Sequence, residues 1–211
     1  MKNIIKYTAM TLITILIVSC ATPYNYDKFK AANPRSILIL PPINQSTDVR
    51  GTYSYLSTVT MPVAEKGFYV FPVAMIDQML KENGLPSANE MHQASVKKIK
   101  EIINPDTILY LTLENYGTTF VVVNSVTKVT VSGKLVSALT GEVLWQGKAT
   151  ASADSSSGNG GLMGALVSAV VTQAINSTTD QAHGVSAQAN QILFNTDGTG
   201  LLNGPYRNSH N

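Results

Sequence analysis

SILILPP, residues 36–42, is a short and continuous apolar run that ends in two prolines. A strand with one exposed face alternates apolar and polar residues, whereas a strand buried on both faces is apolar throughout. The run therefore predicts the first central strand of a buried sheet. Turn-forming residues follow it from Asn44 to Gly51. Because ligands often bind at the carboxyl ends of strands in α/β proteins, Asn44, Ser46 and Asp48 form a candidate ligand loop.

Strands and helices alternate in the sequence around this run. Apolar and β-branched stretches predict strands, and apolar residues at helical spacing predict helices. The further strands are predicted at 68–73 and 107–113, and the helices at 53–66, 74–83 and about 87–103. Pro62 should kink or restart the first helix, while Ser87 and Glu90 have the spacing of a capping box at the start of the third. The order βαβα(α)β predicts an α/β fold in which helices pack on a mixed sheet.

From residue 118 the pattern changes to β-rich stretches with little sequence between them. They cover 120–124, 127–137 and 142–151, and Thr140-Gly141 marks the clearest turn. Short connections predict antiparallel hairpins, and the alternation within 127–137 predicts that one face of the sheet is wet. Trp145, the only tryptophan, is expected to pack in the core or at its rim rather than to serve as a ligand platform.

A Ser- and Gly-rich stretch, 154–161, predicts a hinge before an uncharged apolar segment, 162–175. At 14 residues this segment is shorter than the roughly 20 that a bilayer-spanning helix needs. A helix that is apolar all round is a core helix, an oligomer seam or a membrane-contacting element. Its small residues would let another backbone approach closely. The candidate interface residues are Leu162, Gly164, Ala165, Leu166, Ser168, Ala169 and Val170.

Cys20 is the only cysteine, and it follows a segment with the organisation of a secretory signal. Two lysines precede an apolar stretch, 7–18, and the small residue Ser19 stands directly before the cysteine. Ile17, Ser19 and Cys20 resemble a bacterial lipobox, the signal in which the thiol is acylated before cleavage. The resemblance implies cleavage between Ser19 and Cys20, and a diacylglycerol and an N-acyl chain on Cys20.

The signal also suggests a domain organisation and a location. Residues 1–19 are the signal peptide, 20–34 a flexible tether, 35–195 a single α/β domain with a further short helix at 185–193, and 196–211 an irregular tail. Ala21 resembles the sorting residue of lipoproteins that reach the outer membrane, since Asp at this place often retains a lipoprotein in the inner membrane. We therefore expect a lipid-anchored outer-membrane protein that faces the periplasm.

Charge and motifs argue against several function classes. Of the 15 Lys and Arg, two lie in the signal, which leaves 13 against 13 Asp and Glu, so a nucleic-acid partner is not expected. His92, His183 and His210 have no metal-ligand spacing, and each is expected at the surface. The glycine run 158–164 lacks both the third glycine of GxGxxG and the lysine of a P-loop. We expect no catalytic residue, no metal and no cofactor apart from the acyl chains.

Several motifs occur here in an order that resembles a family of bacterial outer-membrane lipoproteins of unknown function. They are SILILPP, the 44–48 loop, the segments 81–85 and 140–145, the glycine run leading into 162–171, and the closing Gly204-Pro205-Tyr206. The fold of that family is similar to the amino-terminal domain of TolB, and its genes often stand beside a curli-secretion-type lipoprotein. The resemblance implies a role in envelope assembly or export, and it supplies no active-site residues.

Two function hypotheses follow. In the first, Cys20 tethers an α/β domain that self-associates and docks other envelope lipoproteins, including curli-secretion-type lipoproteins, through the 162–175 helix and a nearby sheet edge. In the second, the protein is a ligand-binding module whose 44–51 loop captures a small molecule, a peptide or a glycan. The second hypothesis requires polar groups of that loop to converge on a pocket.

Overall fold

Strand β1 (Ser36–Ile39) lies inside a mixed sheet, as the apolar run predicts. The structure is a computed structural model, and it describes residues 24–121, 124–154 and 181–207. Ile37 and Leu38 are fully buried, which fits a strand covered on both faces. β1 pairs in parallel with β3 (Tyr69–Val70) on one side and with β4 (Thr107–Val121) on the other. The prediction of a buried central strand is confirmed.

The sheet continues from β4 into two antiparallel strands, β5 (Asn124–Ser137) and β6 (Val143–Asp154). Its order is β3-β1-β4-β5-β6, and the short strand β2 (Ile43–Asn44) pairs separately with β4. The mixed α/β sheet and its hairpins are thus as predicted. β4 differs from the prediction, because the strand expected at 107–113 continues to Val121 as one strand of 15 residues, which includes the first two residues of the strand expected at 120–124. Its pairing with β5 extends over the whole of that length, with one register shift between Leu113 and Asn115.

Six helices are described, and they cover the two faces of the sheet unequally. They are α1 (Asp27–Ala32), α2 (Gly51–Glu65), α3 (Val73–Glu82), α4 (Ala88–Gln93), α5 (Val96–Ile103) and α6 (Gln181–Asn195). Side chains of α2 and α6 form one core cluster with Leu111, Val131 and Trp145, and we call that side of the sheet the inner face. Side chains of α3, α4 and α5 form a second cluster with Leu38 and Ile108, and we call that side the outer face.

The outer helices end at β4 and leave the outer face of β5 and β6 uncovered by the helices described. The side chains in β5 alternate accordingly. Val129 and Val131 are fully buried on the inner face, while Lys128 and Lys134 are exposed on the outer face. The prediction of one wet face is confirmed, and its reason is that a strand needs apolar residues only where a second layer covers it.

Two helix predictions need correction. Pro62 does not interrupt α2, because the buried Val59, Pro62 and Val63 hold this part of the helix against the core. The helix expected over 87–103 is two helices, α4 and α5, which are separated by extended dihedral angles at Ala94 and Ser95. The capping box of Ser87 with Glu90 is present. Ser95 directly precedes α5, a position that serine favours, and the sequence analysis did not use this second start signal.

The strand predicted at 68–73 is shorter in the structure. Only Tyr69 and Val70 pair with β1, and α3 starts at Val73. Pro72 precedes α3 and has no amide hydrogen to give to a sheet, so the chain leaves the sheet edge before it. No helix in the described residues is both long and apolar enough to cross a bilayer.

The segment predicted as a flexible tether differs most from expectation, because residues 24–34 pack on the domain. Tyr26 donates a hydrogen bond to the carbonyl of Gly200 at 2.5 Å, and the amide of Gln146 in β6 donates to the Tyr24 hydroxyl at 3.0 Å. α1 buries Phe29 to 4% exposure. The segment has no helical period in its sequence, and it is its three aromatic residues, each of which gains much from burial, that hold it on the domain.

The C-terminal residues 196–207 have no regular secondary structure, as predicted, but they also pack on the domain. Trp145 is fully buried, and its indole nitrogen donates to the carbonyl of Thr199 at 2.9 Å. The amides of Gly204 and Tyr206 donate to the carbonyls of Lys66 and Gly67 at 2.7 and 3.0 Å. α6 is longer than the helix predicted at 185–193, and the C-terminal segment packs beyond its end.

Candidate functional site

Several predicted sites lie outside the described residues. These are the cleavage pair Ser19 and Cys20, the hinge beyond Asp154, and the candidate interface residues of segment 162–175. Their roles remain predictions from the sequence. The candidate ligand loop at Asn44, Ser46 and Asp48 is described in full.

The polar groups of the ligand loop bind one another. The Asn44 side-chain amide donates to the Asp48 carbonyl at 2.7 Å, and the backbone amide and hydroxyl of Ser46 donate to Asn44 Oδ1 at 3.0 and 2.7 Å. The Asp48 carboxylate accepts bonds from the guanidinium of Arg50, one of them at 2.7 Å, and these bonds hold the pKa of Asp48 below its ordinary value. The loop is therefore a self-bonded turn at the start of α2.

A groove of about 930 Å³ opens instead on the outer face. We call it the outer groove. The sheet forms its floor, the junction of α4 and α5 forms one wall, and Tyr24 lies at its rim. The residues used below are Tyr24, His92, Ala94, Tyr110, Lys134 and Lys148. Asn44, Ser46 and Asp48 do not line it.

Tyr110 lies at the centre of the outer groove between two cationic or ionisable side chains. The His92 ring contacts the Tyr110 ring edge to face, with centroids 5.2 Å apart, and Lys134 Nζ lies 5.5 Å from the centre of the same ring. Lys148 Nζ pairs with the Glu114 carboxylate at 2.5 Å. Ammonium groups beside hydroxyl groups favour anionic ligand atoms such as carboxylate or phosphate oxygens.

His92 is half-buried, not a surface histidine as predicted. One ring nitrogen, Nε2, lies 2.9 Å from the carbonyl of Pro41, to which it donates when it carries the proton. Burial lowers the pKa of His92, and the charge of Lys134 lowers it further, although the bond to Pro41 opposes this. His92 therefore favours the neutral form in the folded protein.

His183 is the other described histidine, and it is exposed on α6. Its Nδ1 is 3.5 Å from the hydroxyl oxygen of Ser54, which itself accepts a hydrogen bond from Tyr116 at 2.5 Å. A separation of 3.5 Å is longer than the usual bond between a nucleophile and its base. The geometry fits a contact between α2 and α6 more closely than an activated serine.

Carboxylates in the described residues do not converge on one place. Asp106 accepts the backbone amides of Arg35 and Ser36 at 2.9 and 3.1 Å, and Asp77 pairs with Lys81 at 2.7 Å. Over these same parts of the chain, no group of three or more His, Cys, Asp or Glu side chains is placed to hold a metal ion. These carboxylates lie in separate parts of the fold, and each has its own structural partners.

The family profile described as "Putative lipoprotein GNA1162-like" matches residues 24–206 of the chain. The chain belongs to the GNA1162-like lipoprotein family. The match begins at Tyr24, the first described residue, and ends at Tyr206, so it covers the sheet, the six helices and the packed C-terminal segment. The resemblance to a lipoprotein family is confirmed.

Relatives of this GNA1162-like lipoprotein include a protein from Neisseria meningitidis serogroup B, the putative lipoprotein NMB1124/NMB1162. It is 39% identical over 203 residues, which are 96% of this chain and 94% of the relative. The crystal structure of lipoprotein GNA1162 from Neisseria meningitidis is similar with a TM-score of 0.58 and 42% identity, over 68% of this chain and 100% of that one. The PelC dodecamer structure from Paraburkholderia phytofirmans has a TM-score of 0.45 and 14% identity, over 75% of this chain and 86% of that one.

The sequence analysis did not find the outer groove of this GNA1162-like chain. His92, Tyr110 and Lys134 are far apart in the sequence, and only the crossing of α4 over the sheet brings them together. The alternation in β5 did place Lys134 on the wet face. No local pattern indicated that the α4–α5 junction would form a wall above it.

Acidification is expected to destabilise this GNA1162-like protein through His92. In the unfolded chain the histidine titrates near its ordinary pKa of about 6.5, whereas the folded state binds the proton less readily. The stability that neutral His92 contributes is fully present above the unfolded-state pKa of about 6.5. It is lost as the pH falls from that value toward the lower pKa of the folded state. We expect the free energy of unfolding, measured by urea titration, to fall more steeply between about pH 8 and about pH 5 in the wild type than in His92→Gln. Equal pH dependence of the two proteins would contradict this role.

Proposed function

We propose that this GNA1162-like lipoprotein is a non-catalytic scaffold of the cell envelope, which self-associates and docks other envelope lipoproteins. Cys20 would hold it in the outer membrane through its acyl chains, with the domain in the periplasm. The observation that carries the proposal is the place at which the segment from Tyr24 onward binds the domain. The chain that follows Cys20 is bound at one edge of the sheet, and exposed aromatic and methionine side chains lie at the opposite edge.

The anchored edge is β6. Tyr24 is bound there to Gln146, and it is the fourth residue after Cys20, with only three residues between them. A fully extended chain of that length spans about 14 Å at most. The domain would therefore lie close to the membrane, not at the end of a long tether.

The opposite edge is β3, four strand spacings or about 19 Å from β6. Tyr69 is 54% exposed there, and Met75 in the first turn of α3 is 70% exposed. Tyr69 also contacts Phe71, with ring centroids 5.1 Å apart. Aromatic and methionine side chains are enriched in protein interfaces. We call Tyr69, Phe71 and Met75 the docking edge.

The pairing of carboxylates supports a non-catalytic role, since Asp48, Asp77 and Glu114 lie in different parts of the fold and each pairs with its own lysine or arginine. A general acid and base pair would need two such groups around one substrate position. Self-association is proposed for the 162–175 segment, on the grounds of its small and uncharged residues.

A ligand-binding module is the second candidate function. The observation that favours it is the outer groove, whose volume of about 930 Å³ is in the range of small-molecule sites. The 44–51 loop, where the sequence analysis expected such a site, offers fewer free groups, because Asn44, Ser46 and Asp48 are bonded within the loop and to Arg50.

Photo-crosslinking in the native envelope tests the scaffold proposal. In the acylated protein, a benzophenone side chain at Met75 is expected to give a discrete adduct with a second lipoprotein, and one at Ala165 is expected to give an adduct of twice the chain mass. The matched control carries the same side chain at Lys97, which is exposed on α5, and should not give these adducts. Cys20→Ser should lose the lipoprotein adduct together with membrane anchoring. Absence of these adducts, or the same adducts at Lys97, would contradict the proposal.

A further inference from the structure

Exposed lysines cluster on the part of the outer side that is formed by α5, β5 and β6. α2 and α6, which cover the inner face, contain no Lys or Arg, and Glu65 is their only carboxylate. The outer side presents exposed lysines from α5, β5 and β6. These are Lys97, Lys98, Lys128, Lys134 and Lys148, and we call them the basic face. The basic face is therefore a local patch, since the outer helices α3 and α4 also carry Asp77, Glu82 and Glu90.

The acidic residues on α5, β5 and β6 are Glu101 of α5 and Asp154 at the end of β6. Glu101 is exposed on α5, and Glu114 of β4 pairs with Lys148. Both members of that pair keep contact with solvent, with side chains 59% and 32% exposed. Lys134 makes a contact with the Tyr110 ring, which leaves its positive charge in place. The elements of the basic face therefore carry more positive than negative charge.

The basic face lies beside the point at which the anchored segment joins the domain. Gln146, whose amide binds Tyr24, is directly opposite Lys134 in the register of β5 and β6. Lys148 follows Gln146 by two residues along β6, which is about 7 Å. Both lysines therefore lie within about 7 Å of the β6 residue to which Tyr24 is bound. The acyl chains of Cys20 would enter the membrane next to these charges.

We propose that the basic face lies against the anionic phospholipid headgroups of the membrane that holds the anchor. Each lysine near an anionic leaflet increases association about fivefold. The anchor removes most of the entropic cost of bringing the domain to the membrane, because it already holds the domain at the surface at high effective concentration. The outer groove lies between α5 and β6, and its hydroxyl and ammonium groups suit headgroup phosphates. The orientation leaves α2 and α6 on the side away from the lipid.

This orientation goes beyond the scaffold function, and its test uses purified protein and lipid. The chain has no cysteine other than Cys20, whose thiol would be blocked in the acylated protein, so a single introduced cysteine can carry a fluorophore. Ser152→Cys places it on exposed β6 beside Lys128, and Ala187→Cys places it on the exposed side of α6. The labelled, acylated proteins are floated with vesicles of phosphatidylethanolamine and phosphatidylglycerol that contain a headgroup spin-labelled quencher.

The label at Ser152 is expected to be quenched several-fold more strongly than the label at Ala187. The ratio of quenching at Ser152 to quenching at Ala187 should fall toward one with phosphatidylcholine vesicles. It should fall in the same way with the double variant Lys97→Gln and Lys134→Gln. The matched control Arg35→Gln and Arg207→Gln removes two exposed charges elsewhere and should not change it. Equal quenching at both positions would overturn the proposal, and would be the result if an acidic protein segment were the partner of this face. The proposal would also be overturned if quenching of the label at Ser152 changed neither with the lipid charge nor with the lysine double variant.

Discussion

Gly67→Ala is expected to lower the free energy of unfolding by about 3 to 4 kcal/mol. Gly67 has φ +88°, a left-handed conformation that costs an L-residue about 1–2 kcal/mol. A Cβ atom there would also lie 2.1 Å from the backbone nitrogen of Arg207, so the C-terminal segment would have to move. Overpacking of this kind costs about 1–3 kcal/mol. Urea unfolding of the two proteins measures the difference.

Gly84→Ala is the matched control for this prediction. Gly84 has nearly the same φ, +85°, but no atom would lie within 4 Å of an added Cβ. Only the cost of the left-handed backbone conformation remains, so the free energy of unfolding is expected to fall by about 1–2 kcal/mol. The difference between the two variants measures the packing of residues 204–207 against the turn after α2. Equal losses would mean that this segment does not pack there.

The predictable parts of this fold are those in which the local sequence already contains the tertiary environment. SILILPP is apolar throughout because both of its faces are covered, and residues 127–137 alternate because one of theirs is not. The capping box of Ser87 and Glu90 is likewise a local structure, held by two bonds within one turn. In each case the pattern follows from contacts that repeat along the element.

The parts that the sequence analysis missed depend on contacts between distant segments. Phe29 contacts Phe68, and Tyr26 contacts Gly200, so the segment 24–34 becomes ordered through partners that no local pattern identifies. The candidate site shows the same limit. Lys134 was placed on the wet face by alternation, but its closeness to His92 depends on how α4 crosses the sheet.

Asn190→Ala is expected to lower the free energy of unfolding by about 3 kcal/mol. Asn190 of α6 and Tyr55 of α2 are both fully buried, and the Tyr55 hydroxyl donates to the Asn190 side-chain carbonyl. The Asn190 amide donates to the hydroxyl of Thr58 at 2.9 Å. Burial raises the pKa of Tyr55, so the hydroxyl stays protonated and needs an acceptor. Truncation of Asn190 leaves that donor unpaired inside the core, next to a cavity.

A double-mutant cycle separates the hydrogen bond from the loss of volume. Tyr55→Phe alone leaves the Asn190 carbonyl unpaired, and Asn190→Leu alone leaves the Tyr55 hydroxyl unpaired, so each should be destabilising. In the double variant both polar groups are gone and their volumes are largely kept, and its loss should be smaller than the sum of the single losses by more than about 1 kcal/mol. Additive losses would contradict the pairing. Because Asn190 and Tyr55 join the two helices of the inner layer, this coupling also measures how firmly α6 is held on α2, the side that the proposed orientation turns away from the membrane.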